Sequence, residues 1–169
     1  MASATTDFRA LYLSHAPAVR RFVLFLGADA SAAEDIVADT FARAWTVADS
    51  IRNETVKAYL FTIARNLHRR ASRRTTRHHE LPTDWADDAI SAERHAEGRS
   101  DLEAVLLAMR GLPEDDRAAI LMRATDQMSY EEIGRILGLS VSNAKVRVHR
   151  ARLKLMRALM PISTEREIL

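Results

Sequence analysis

From Val141 to Arg157 the chain carries Lys145, Arg147, Arg150, Arg152, Lys154 and Arg157 and no acidic residue. A second acid-free block, Thr62 to His79, holds Arg65, Arg69, Arg70, Arg73, Arg74 and Arg77. Between them, Glu80 to Glu103 carries Glu80, Asp84, Asp87, Asp88, Glu93, Glu97, Asp101 and Glu103 against only Arg94 and Arg99. A net charge of +2 conceals this alternation. One charge run is ordinarily a solvated face, but two acid-free blocks on predicted helices suit the electrostatic grip of a polyanion.

Other chemistries find little support. The chain has no cysteine, which excludes disulfides and thiolate metal sites and makes a cytoplasmic location the expectation. His68, His78, His79 and His95 read as incidental surface histidines rather than a metal set or pH sensor. Asp115, Asp116, Glu131 and Glu132 fall at predicted helix starts, where the helix dipole favours acids. There is no nucleophile–base set, no phosphate-binding glycine loop and no metal-ligand spacing. We therefore expect no enzyme, no cofactor and no metal. No apolar run approaches the roughly 20 residues of a membrane span, and Met1 to Arg9 has no signal-peptide pattern, so membrane insertion is not expected either.

The elements that must position the bases are helical. Gly and Pro number 5 and 4, and no alternating apolar run is bounded by turn residues, so the fold class is all-α. A first helix spans about Asp7 to Leu26, with Pro17 a potential break and Gly27 its stop. A second is expected to open on a capping box, Ser31 with Glu34, and to run to Val47, with Trp45 completing its buried stripe. Ser50 to Thr55 is a polar loop, and Val56 to Arg74 a third helix that turns basic. The acidic stretch Thr75 to Ser100 reads as a linker, with a short helix near Ala89 to Ala96. Helical spacing resumes over Asp101 to Arg110, and Pro113 suits the first turn of a helix over Glu114 to Thr125.

The segment from Ser129 to Leu155 has the marks of a helix-turn-helix. Ser129 and Glu132 form a capping box, Gly134 is small where the helices cross, and Gly138 supplies a left-handed stop. Ser140 caps the second helix, whose inner face is Val141, Ala144, Val148, Ala151 and Leu155. The opposite face centres on Val146, Arg150 and Leu153. The first turns of a recognition helix meet base edges and its later cations meet phosphate. Base reading accordingly falls to Ser142, Asn143, Val146 and Arg150, and phosphate contact to Lys145, Arg147, Arg152 and Lys154.

Two upstream stretches, AAEDIVADTFARAW (Ala32 to Trp45) and YLFTIARNLHRRASRR (Tyr59 to Arg74), resemble region 2 of bacterial sigma factors. LPEDDRAAILMR (Leu112 to Arg123) and the helix-turn-helix resemble region 4. Their order and spacing match the extracytoplasmic-function (ECF) group of the sigma-70 family. The resemblance implies two small helical domains joined by a flexible acidic linker: region 2 over 1–75, linker 76–100, region 4 over 101–160 and a tail 161–169. It implies core RNA polymerase as partner, through the clamp helices and flap of its large subunits, with promoter DNA and an anti-sigma factor as further partners. Asp35, Ala38, Asp39 and Phe41 fall where the family docks on the clamp helices. Arg52 and Asn53 fall in the loop that traps a flipped base, and Arg65, Asn66, Arg69, Arg70 and Arg73 where the –10 element is tracked. Region 4 would read the –35 element. The alternatives are a sigma-like adaptor that binds a regulatory protein and a stand-alone helix-turn-helix repressor. The repressor leaves the first half unexplained, and the adaptor has no use for two basic faces.

Overall fold

The computed structural model describes residues 2–47, 56–74 and 97–166, with side chains over 8–47, 56–74 and 101–160. Seven helices lie within these residues and no strand does. They are α1 (Ala2–Leu26), α2 (Ala30–Thr46), α3 (Val56–Arg74), α4 (Glu97–Arg110), α5 (Glu114–Ala124), α6 (Tyr130–Leu137) and α7 (Val141–Arg166).

The first three close a small core around Val19, Phe22, Val37, Phe41, Leu60 and Phe61, with the Phe22 and Phe61 rings 4.7 Å apart. α1 begins at Ala2, before the expected Asp7, and passes through Pro17, which faces solvent. Its end is set by Gly27, whose φ of +111° few other residues adopt without cost. Gly27 N donates to Leu24 O and Ala28 N to Val23 O, the paired bonds that close a helix on a left-handed residue.

The start of α2 corrects the expectation. Its cap is Asp29, whose carboxylate accepts the Ala32 N–H at 2.8 Å. With the helix already running from Ala30, Ser31 is not the cap, and Glu34 instead takes the Arg20 guanidinium at 2.6 Å. Trp45 is a second correction. It is 47% exposed, in edge-to-face contact with Phe8 at 4.5 Å, because the last turn of α2 reaches past the helices that would cover it.

In the second half, Met109, Leu121, Met122, Met128, Ile133, Ala144 and Val148 are buried together. α4 starts at Glu97, inside the stretch read as linker; the rest of that linker, the expected helix over 89–96 and the Ser50 to Thr55 loop lie outside the described residues. Ser129 and Glu132 make the expected capping box on α6. Gly138 has φ +69°, and a Cβ on Gly134 would stand 2.7 Å from Leu139 O, so both glycines are needed where α6 turns into α7. Ser140 Oγ accepts the Asn143 N–H, capping α7. Val141 of its expected inner face is half-exposed, and α7 continues to Arg166, through residues expected to be tail.

The two halves pack on one another, α1 against α5 and α3 against α6, and their buried apolar residues form one cluster.

Candidate nucleic-acid interface

α7 is positioned by its apolar face. Ala144, Val148 and Ala151 are fully buried against α5 and α6, which leaves Ser142, Asn143, Lys145, Val146, Arg150, Arg152 and Lys154 exposed. Val146 is 45% exposed on the same face. Asn143, Val146 and Arg150 line a groove of about 280 Å³ between α7 and α5. Lys145 Nζ lies 5.7 Å above the Tyr130 ring, whose face also receives Arg123 at 4.8 Å.

The floor of that groove holds a residue the charge pattern did not single out. Asp116, on the first turn of α5, has a side chain 7% exposed. Its Oδ1 accepts Arg147 Nη1 at 3.0 Å and its Oδ2 accepts Lys154 Nζ at 2.5 Å. The helix dipole accounts for an acid here but not for its burial. The available signal was the spacing of Arg147 and Lys154, seven apart and hence on one side of the helix, opposite a segment rich in acids.

On α3, the other basic helix, the structure divides the expected set. Asn66, Arg69, Arg70 and Arg73 are exposed. Arg65 is 5% exposed, pressed into the contact between the halves. Its Nη2 donates to Asp115 Oδ1 at 2.5 Å and its Nη1 to the Ile136 carbonyl at 3.3 Å. Arg52 and Asn53 lie outside the described residues. On α2, Asp35, Ala38 and Asp39 share an open face, whereas Phe41 is buried against Phe8 and Tyr12 and supports that face from beneath.

Beside the shared apolar cluster, cations bridge the two halves. Besides Arg65, Lys57 Nζ donates to Asp126 O at 2.7 Å and Arg21 pairs with the Asp126 carboxylate at 3.3 Å. Arg117 reaches back from α5 to the carbonyls of Phe25 and Leu26, neutralising the negative end of α1. His68, expected at the surface, is 5% exposed, and burial followed by the nearby Arg117 and Arg65 lowers its pKa to about 4. Burial also pushes the Glu114 carboxyl up, against the pull of Arg65 and Arg69. Arg65 Nε, His68 Nδ1, Glu114 Oε1 and Arg117 Nε are buried there without a partner among the described residues. Such atoms carry a desolvation cost, so this seam is less well satisfied than either core. Among the described residues no group of His, Cys, Asp or Glu could hold a metal, and no helix is long and apolar enough to cross a membrane.

Residues 11–78 match the family model of sigma-70 region 2 and residues 102–155 that of sigma-70 region 4. A helical half and a helix-turn-helix half, matched in this order, define a promoter-directing sigma factor. Among relatives, the ECF RNA polymerase sigma factor EcfG of Rhodopseudomonas palustris is 32% identical over 152 residues, spanning 89% of this chain and 84% of its own. The sigma factor RpoE of Bartonella quintana, solved in complex with the anti-sigma factor NepR, is 31% identical with a TM-score of 0.69, over 91% of this chain and 97% of that one. CnrH, solved with the cytosolic domain of CnrY, is 26% identical, also with a TM-score of 0.69, over 93% and 90%. The chain belongs to the ECF RNA polymerase sigma factors, regulatory DNA-binding proteins that direct the polymerase to promoters.

Proposed function

We propose that this sigma factor holds its promoter at two points, one for each basic helix, and has no enzymatic activity of its own. The observation that carries this reading is the outer face of α7: a capped, glycine-turned helix presents Ser142, Asn143, Val146 and Arg150 with no acid among them. Asn143 suits a bidentate pair with adenine, Arg150 with guanine, and Val146 a thymine methyl, while Lys145 and Arg152 take phosphate. This helix reads the –35 element. Arg69, Arg70 and Arg73, exposed on α3 with Asn66, track the –10 element, together with Arg52 and Asn53. Arg65 joins them only once the halves part, because it now faces Asp115. The open face of Asp35, Ala38 and Asp39 receives the clamp helices of the polymerase. The protein acts in the cytoplasm, with region 2 over 1–75 and region 4 over 101–160.

RpoE is solved with the anti-sigma factor NepR and CnrH with the cytosolic domain of CnrY, which supports an anti-sigma factor as a partner here as well. Run-off transcription with purified core polymerase tests the reading. Initiation at discrete sites that depends on this chain is the expected result. Output no different from core enzyme alone would refute it.

A further inference from the structure

Asp116 has no place in the promoter contacts described above, yet it is the most deeply set charge in the groove that α7 presents. Both of its carboxylate oxygens are used, one by Arg147 and one by Lys154, and its side chain is almost closed off from solvent. A buried carboxylate that loses its partners is left charged in a poor solvent, which is strongly unfavourable. Arg147 and Lys154 are therefore not free to leave for DNA phosphates at no cost. Lys145 is differently placed: its ammonium rests over the Tyr130 ring and makes no ion pair among the described residues.

We propose that Asp116 is a positioning residue that withholds Arg147 and Lys154 from the phosphate backbone, so that α7 grips DNA through Lys145 and Arg152, which lie outside the groove, and reads it through Asn143, Val146 and Arg150. Two of the four cations expected on phosphate are thus internal counter-ions. The carboxylate lowers the sequence-independent share of the binding, which is the share carried by phosphate neutralisation and lost with salt. The same two pairs hold the Arg147 side chain along the groove wall beside Asn143 and Arg150. This inference rests on the reading of α7 as the DNA-reading helix.

The test is the salt dependence of binding between the full chain and a short duplex of arbitrary sequence, which isolates the phosphate term. Asp116→Asn keeps the shape, removes the charge and frees both cations. The slope of log affinity against log salt should steepen by about 1.8, so a fourfold fall in salt gains the variant about tenfold more affinity than the parent. Adding Lys154→Ala should remove about half of that gain. A slope unchanged in a folded Asp116→Asn protein overturns the proposal. Should Asp116→Asn not fold, single variants decide: Lys154→Ala should cost less than half the slope that Lys145→Ala costs, and an equal cost overturns the proposal. If Lys145→Ala itself leaves the slope unchanged, the reading of α7 fails rather than the role of Asp116.

Discussion

Two neighbouring acids on the first turn of α5 do opposite work. Asp115 reaches out of its own half to Arg65 of α3, and Asp116 reaches inward to Arg147 and Lys154 of α7. The Asp115 side chain is 39% exposed and its partner Arg65 6%, whereas Asp116 is 7% exposed and its partners 33% and 49%. In each contact the buried member cannot lose its partner cheaply: Arg65 in the first, Asp116 in the second. The same turn of helix thus meets both basic faces, one through a contact across the halves and one through a contact within its own half. On the proposed two-point grip, the first must open before Arg65 can reach DNA. The second can stay intact while α7 reads.

The comparison can be broken or sharpened by substitution. The largest effect is expected at His68, one turn beyond Arg65 on the same side of α3. Its folded pKa is about 4 against an ordinary 6.5. Between those values the unfolded chain binds more protons than the folded one, so stability is lost as pH falls through the window. The loss attributable to this residue reaches about 3 kcal/mol near the bottom of the window. His68→Leu should remove much of the difference between urea midpoints taken near neutral pH and near pH 4. An identical acid loss in both proteins would mean that the α3 face is already open to water.

A smaller effect, about 1–3 kcal/mol of discrimination, is expected from Arg150→Ala. It should appear as a lower ratio of promoter to arbitrary-sequence binding in competition assays. An equal loss on every sequence would make Arg150 a phosphate contact and move the reading face elsewhere on α7. An effect of similar size, about 1–3 kcal/mol of stability, belongs to Asp115→Asn, which removes the charge partner of a guanidinium that is only 6% exposed. No measurable cost in urea unfolding would show that the contact between the halves is already open in solution.

Much of this was legible in the sequence, and the reason is local. The Ser129–Glu132 capping box, the Gly138 stop and the Ser140 cap are settled by residues three or four apart. The outer face of α7 follows from helical period alone. What was not legible depends on residues far apart in the chain. Arg65 meets Asp115 across 50 positions, and Asp116 meets Arg147 and Lys154 across 31 and 38. An acid-free run shows that a helix is basic, but not which of its cations the rest of the protein will claim. Trp45 and His68 were misplaced for a related reason: their burial is set by how far neighbouring helices extend over them. At α2, Asp29 lay two residues ahead of Ser31 and provided the cap in its place.

The central claim, a promoter held at two separate points, is tested most directly by footprinting polymerase reconstituted with this chain on a promoter from which it initiates. Parent, Arg65→Ala and Arg150→Ala proteins should be compared side by side. The account predicts that Arg150→Ala loses protection over the upstream element and keeps it downstream, and that Arg65→Ala does the reverse. If both substitutions weakened the same segment, or neither changed the footprint, the two-point grip would be contradicted.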